Sequence, residues 1–173
     1  MLTRALILDL FCELNDELCG MEIRGDVFIV GGAAMTVAYQ VRPSTRDVDG
    51  IFHPSSEIRA AVARVADRHD GLAPDWLNDA VKGFLPGEDT GITRVIYENT
   101  CLTVRAGSSE YLLATKLLAS RVGRDEEDIL FLFDECGLTT LEDALSLLER
   151  FYPGRPVEAK VQFMLEELLA NRK

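Results

Sequence analysis

The stretch FIVGGAAMTVAYQVRPSTRDVDGIF, residues 28–52, constrains the fold of this chain more than any other. The apolar, β-branched run DVFIV ends in Gly31-Gly32. Fourteen residues then separate Gly32 from the first of two aspartates, Asp47 and Asp49, which have a single valine between them. Short apolar runs bounded by glycine and proline read as buried strands. Between the two runs, GGAAMTVAYQ reads as a turn opening straight into a helix. RPSTR reads as a second turn, because Pro43 cannot continue a helix. Two strands are thus joined through a glycine turn and a short helix, and the second, DVDGIF, begins with a pair of carboxylates.

The rest of the chain surrounds that unit. Residues 2–19 place Leu6, Leu10, Leu14 and Leu18 at helical spacing. Asp9, Glu13, Asp16 and Glu17 interrupt the apolar positions, so the segment reads as an amphipathic helix and not as a signal peptide. PSSEIRAAVARVADRHD predicts a helix capped by Ser55 or Ser56. APDWLNDAVKGFLPG predicts a short helix around Trp76, whose ring suits core packing better than base stacking. PGEDTG is a surface loop, and TRVIYEN and CLTVRA form a β-hairpin or two adjacent strands. From Ser108 onward the pattern is helical, with Ser108 or Ser109 capping the first helix and Thr139 or Thr140, followed by Glu142 and Asp143, capping the third. The predicted fold is therefore α+β: a small mixed β-sheet core over residues 1–107 and a helical region over 108–173 packed on it.

Composition excludes several classes. A chain of 173 residues, 47% hydrophobic, can bury the core of one domain, or of one domain with a small appended piece. Nothing approaches the roughly 18 apolar residues of a membrane span, so no membrane partner and a cytoplasmic location are expected. Cys12, Cys19, Cys101 and Cys136 form no CxxC pair, and only His53 and His69 could join them, so zinc chemistry is not expected. The four cysteines read as buried thiols of a reducing compartment. A net charge of −11 argues against a surface that binds nucleic acid throughout, although positive charge gathers at Arg42 and Arg46 and at Lys116, Arg121 and Arg124.

The motif has a physical logic. Residues two apart in a strand share a face, so Asp47 and Asp49 would project together with their Cα atoms about 6.6 Å apart. Two such carboxylates repel, and a divalent cation is one way to keep both ionised. Mg²⁺ suits them, because it takes one or two carboxylates and completes its shell with water and phosphate oxygens. A strand, Gly31-Gly32 and a helix let backbone N–H groups approach a phosphate with no Cβ in the way. The P-loop and dinucleotide patterns are both absent.

VGGAAMTVAYQVRPSTRDVDGIF resembles the signature of the nucleotidyltransferase (polymerase-β-like) superfamily, with a nearer likeness to bacterial AbiEii and MenT-type proteins. EYLLATKLLASRVGRDEEDILFL is similar to the downstream helix of that group, and WLNDAVKGF to a segment of uncharacterised members. The matches cover residues 26–52 and 108–133. The resemblance implies that Asp47 and Asp49 bind Mg²⁺ and position a nucleoside triphosphate, and that Gly31 and Gly32 hold its phosphates. It places Arg46, with Ser44 and Thr45, close enough to assist. It assigns Lys116 to nucleotide contact and a later acid, Asp128 or next Asp125, to completing the site. Read from the residues alone, Lys116 in an apolar helix must either snorkel out or meet an anion. Asp128 by the same reading pairs with Arg121 or Arg124.

The implied reaction moves an NMP from an NTP to RNA, such as a tRNA end, or to a protein, as in toxin–antitoxin systems. One departure stands out: the strand expected to carry a third carboxylate, CLTVRAG, has Thr103 and Arg105 but no acid, and Glu98 lies just before it. Alternative readings are a degenerate nucleotidyltransferase fold acting as a binding or partner protein, an acidic antitoxin-type protein, and an aminoglycoside-type transferase.

Overall fold

The computed structural model describes residues 1–119 and 125–171. Arg121 and Arg124 lie outside the described residues. The chain divides into two compact units, Met1–Gly83 with Thr93–Gly107, and Phe84–Ile92 with Ser108–Lys173. The architecture is α+β, as the sequence predicts.

The first unit begins with a two-residue strand β1 (Leu2–Thr3) and helix α1 (Arg4–Gly20), whose N-terminus is capped by Thr3 Oγ1 accepting from Leu6 N–H. Strand β2 (Gly25–Ile29), helix α2 (Gly31–Val37), strand β3 (Ser44–Thr45), strand β4 (Val48–His53) and helix α3 (Ser55–Ala66) follow. Strands β5 (Leu77–Asn78), β6 (Arg94–Glu98) and β7 (Leu102–Ala106) complete a five-stranded sheet in the order β5-β4-β2-β7-β6. β2 runs antiparallel to β4 and parallel to β7, so the sheet is mixed. Val27, Ile29, Val48, Phe52, Leu102 and Val104 are buried on one face, where period-two alternation puts them. α1 and α3 cover that face: a Cβ added at Gly25 would touch both Leu18 and Ile58, and Phe11 stacks near Tyr97 and Trp76. Asp26, Phe28, Asp49, Ile51 and Arg105 alternate onto the other face, half-buried or exposed.

Three expectations are corrected here. The short helix expected around Trp76 is displaced: Leu77–Asn78 form a strand, and only a 3-10 turn, Ala80–Gly83, follows. Trp76 O accepts from Val48 N–H at 2.7 Å, so pairing with β4 takes the backbone group that a helix would use. The Trp76 ring is core, 1% exposed, and its Nε1–H donates to Val62 O at 3.3 Å. Neither Ser55 nor Ser56 caps α3: Ser55 Oγ–H donates back to Phe52 O, Ser56 Oγ–H donates to Glu57, and Pro54 occupies the cap position. The four cysteines are not four buried thiols. Cys19, in the last turn of α1, is bonded to Cys101, just before β7, with Cα atoms 5.4 Å apart, while Cys12 is exposed and Cys136 half-buried. Spacing rules look for ligand pairs close in sequence, and this pair is 82 residues apart. None of the described helices is long and apolar enough to cross a membrane.

The second unit contains helices α4 (Ser109–Ala119), α5 (Glu126–Glu135), α6 (Leu141–Phe151) and α7 (Ala159–Ala170). Asp89 fixes the start of α4. Its carboxylate accepts from Ser108 N–H and Oγ–H, both at 2.7 Å, and from Gly91 N–H at 2.9 Å. Ser108 Oγ in turn accepts from Tyr111 N–H, which makes Ser108 the capping serine. Tyr111 and Tyr152 donate their hydroxyls to Pro86 O and Phe84 O and so hold residues 84–92 to this unit. Burial, with the Asp89 charge, pushes the Tyr111 hydroxyl up to about 12. Thr140 caps α6 in a full capping box with Asp143.

On the outer side of α1 and α3, Glu17 accepts from Arg64 and Arg68 at 2.7 and 2.5 Å, and Glu13 meets Arg68 and His69 at 3.1 and 2.6 Å. Hydrogen bonds from Arg64 and Arg68 hold Glu17 below its usual pKa. Burial opposes ionisation of Glu13, but bonds from His69 and Arg68 outweigh it and lower its pKa as well. Depressed carboxylate pKa values stabilise the folded state above the unfolded pKa of about 4.3, and that contribution is lost as pH falls through the folded values. Glu17→Gln should therefore lower Tm near neutral pH and converge with the wild type in acid. Parallel melting curves of the two proteins between pH 7 and pH 3 check this, and a constant Tm difference would reject it.

Candidate functional site

Backbone pairing brings the two ends of the glycine–aspartate stretch together. β2 and β4 are in register from Asp26↔His53 to Ile29↔Gly50, and Val30 N–H then donates to Asp49 O at 2.9 Å. The ladder thus reaches the foot of the glycine turn. Asp49, second residue of β4 and half-buried, directs its carboxylate at that turn: a Cβ at Gly31 would stand 3.5 Å from Asp49 Oδ2. Gly31 has φ +61°, a left-handed conformation that side chains other than glycine adopt at a cost. A Cβ at Gly32 would stand only 2.8 Å from Thr45 Oγ1 and 4.0 Å from Arg42 Nη1. Two bare glycines are therefore enclosed by a carboxylate, a hydroxyl and a guanidinium.

Thr45 is held there by a pairing that the sequence reading took for plain turn. Ser44–Thr45 form β3, antiparallel to β1, with Leu2 opposite Thr45. The first two residues assigned to the N-terminal helix supply the partner strand. α2 makes its first intrahelical bond from Ala34 N–H to Val30 O at 3.3 Å, leaving Gly31, Gly32 and Ala33 N–H with no acceptor inside the helix. With seven residues the helix has a small dipole, so an anion here would be held by these N–H groups and by Arg42.

Asp47 lies in the bend just before β4, exposed, rather than inside the strand, and Arg46 beside it is also exposed. The structure therefore gathers Gly31, Gly32, Thr45 and Asp49, while Arg46 and Asp47 are exposed residues between β3 and β4. It adds Arg42, which the sequence offered only as part of a basic turn. β7 is not next to β4. Its Thr103 and Arg105 pair with Asp26 and Phe28 of the intervening β2, and Glu98 pairs with Thr103 one strand further out. Among the described residues no group of three or more His, Cys, Asp or Glu could hold a metal. The Asp49 carboxylate beside the glycine turn, with Asp47 two residues before it, is a donor set that Mg²⁺ accepts, since that ion fills its remaining positions with water and phosphate oxygens.

Lys116 and Asp128 belong to the second unit and form an ion pair inside it. Lys116 is 8% exposed and does not snorkel; its Nζ lies 2.6 Å from Asp128 Oδ2 and 3.4 Å from Asp125 Oδ1. Asp128, at 1% exposed, meets this lysine, and the sequence-predicted partners Arg121 and Arg124 lie outside the described residues. A nearly all-apolar α4 can bury its one lysine because the first turn of α5 supplies two carboxylates.

A family model described as "Nucleotidyltransferase of unknown function (DUF6036)" matches residues 5–146, most of the chain and all of the glycine–aspartate stretch. The chain belongs to this nucleotidyltransferase family. No match was found among curated proteins or among solved structures. The matched region includes the glycine turn and Asp49, which the end of the β2–β4 ladder brings together.

Two substitutions separate site from scaffold. Gly31→Ala places a Cβ on a left-handed residue and should cost about 1–2 kcal/mol in denaturant unfolding, an amount absent from Gly20→Ala at an unstrained helix position. Lys116→Met leaves Asp128 buried without its closest cation and should cost about 3–5 kcal/mol, whereas Lys116→Met/Asp128→Leu should recover most of that loss. Urea titrations of the three proteins check the second expectation, and equal stability of wild type and Lys116→Met would refute it.

Proposed function

We propose that this protein is a Mg²⁺-dependent nucleotidyltransferase that moves an NMP from a nucleoside triphosphate to an RNA or protein acceptor. The observation that carries the proposal is the convergence of Asp49, Thr45 and Arg42 on the bare Gly31-Gly32 turn in a member of a nucleotidyltransferase family. In this reading the turn N–H groups bind phosphate oxygens, and Arg42 and Arg46 supply positive charge. Thr45 packs its hydroxyl against the bare Cα of Gly32, a position that a Cβ would block, and offers that hydroxyl to the site. Asp47 and Asp49 would hold Mg²⁺, which when bound neutralises charge on the phosphates. An acceptor hydroxyl oxygen bonds to the α-phosphorus, its proton passes to solvent, and the bond to the β-phosphate oxygen breaks to release pyrophosphate. Such transfer needs little from the protein beyond alignment and electrostatic stabilisation.

Lys116 and Asp128 enter the proposal as a cation and carboxylate of the second unit. Lys116→Arg, which keeps the charge and the pair, separates a role in transfer from a purely structural one. The net charge of −11 favours a protein acceptor, or an RNA end gripped only at the local basic turn. A toxin–antitoxin-type component that modifies its target in this way is consistent with either acceptor. A second reading, a nucleotide-binding protein without transfer activity, is favoured by the absence of an acid on β7.

Thermal stability in the presence of each NTP, with and without Mg²⁺, tests the first reading, since a ligand of the native state raises Tm by mass action. The expected result is a Mg²⁺-dependent rise for at least one triphosphate, equivalent to about 2.7 kcal/mol at a hundredfold excess over Kd. That rise should vanish in Asp47→Asn/Asp49→Asn protein with an unchanged ligand-free Tm. If no triphosphate shifts Tm at millimolar concentration, the nucleotidyltransferase site assigned here is wrong. A shift without radiolabelled NMP transfer to total RNA or protein would select the second reading.

A further inference from the structure

We infer that Asn78 is a positioning residue of this site: an amide beside Asp49 that donates to a phosphate oxygen of the bound nucleoside triphosphate. The inference rests on the nucleotidyltransferase reading above. β5 pairs with β4 in parallel, Leu77 opposite Val48 and Asn78 opposite Asp49. Leu77 and Val48 are buried, 1% and 0% exposed, on the core face, so Asn78 and Asp49 share the other face on strands about 4.8 Å apart. Asn78 Oδ1 accepts from Ala80 N–H at 3.1 Å. A backbone N–H can only donate, so the amide end that faces Ala80 is assigned as the oxygen. The oxygen is committed to the turn, and the Nδ2 group, with two donors, forms the other end of the side chain. Asp79 is tied to Arg59 at 2.5 Å, which anchors the segment from its neighbouring residue.

The chemistry of the amide is what matters at this position. A carboxylate next to Asp49 would add a third anion, raise the local demand for divalent cation and repel phosphate. An amide adds no negative charge for a cation to neutralise, and with its oxygen bonded to Ala80 N–H it offers its donors to an anion. β5, the strand paired with β4 at Asp49, places an amide opposite it and no acid. In this inference Asp47 and Asp49 would carry the divalent cation, and the amide beside Asp49 supplies an uncharged donor for the triphosphate.

Asn78→Asp tests this cleanly, because aspartate still accepts the Ala80 N–H and keeps the turn. Asn78→Ser also keeps an acceptor, removes the amide donors and adds no charge. Binding of Mn²⁺ alone, and of each NTP at saturating Mg²⁺, would be measured by calorimetry on the full chain. Asn78→Asp should bind Mn²⁺ several-fold more tightly and the triphosphate about ten-fold more weakly. Asn78→Ser should lose triphosphate affinity to a similar extent with Mn²⁺ binding unchanged. If the wild type binds a triphosphate and both variants match it, Asn78 merely shapes the turn and the inference falls while the nucleotidyltransferase reading stands. If the wild type binds no triphosphate, that reading falls and takes the role of Asn78 with it.

Discussion

The antiparallel ladder between β2 and β4 is the contact on which the rest of the first unit depends. It is local, joining residues 25–29 to residues 48–53, and it ends where Val30 N–H meets Asp49 O. The strand interior buries Val27, Ile29, Val48 and Phe52 against the helices, and this apolar burial selects the register. A slip of one residue would carry Asp49 into the core and Val48 out of it. The same apolar term that folds the sheet thus determines which way the site carboxylate points. β5 and β7 are then added on either side in parallel, and each brings a different polar residue to the outer face.

The helical unit is organised by two buried polar arrangements. Asp89 satisfies two backbone N–H groups and a hydroxyl at the start of α4, and Lys116 meets Asp128 and Asp125 where α4 and α5 pack. Both follow from the cost of leaving a polar group unpaired away from water. They also specify which helices meet, since Leu-rich faces alone would tolerate several packings. A lysine in an apolar helix is therefore the residue that names the neighbour of its helix.

Much of this was legible in the sequence. The strand–glycine–helix–turn–strand order of residues 26–53, the amphipathic first helix, the β6–β7 hairpin and the helical second half all show in local periodicity and punctuation. The nucleotidyltransferase character comes from a resemblance, carried by Gly31-Gly32 and Asp47-x-Asp49, to a known superfamily. Other features escaped for identifiable reasons. WLNDAVKGF has helical composition, yet β4 takes residues 76–78 into pairing and leaves only a short 3-10 helix, Ala80–Gly83. Ser55 and Ser56 have capping chemistry, but their hydroxyls donate elsewhere. Thr45 reads as turn until the N-terminal Leu2 is found opposite it. The Cys19–Cys101 bond joins positions that no spacing rule relates.

Sequence alone determined which residues could do chemistry: glycines without a Cβ, paired carboxylates, a basic turn and a lone lysine among leucines. These are properties of side chains and of neighbours a few residues away. Tertiary structure decided which of them meet. It set Asp49, Thr45 and Arg42 around one glycine turn, put Asn78 rather than an acid beside Asp49, and gave Lys116 to Asp128. The reason is that strand register and helix packing are settled by the burial of distant apolar surface and the satisfaction of backbone hydrogen bonds, and neither can be read from a window of residues.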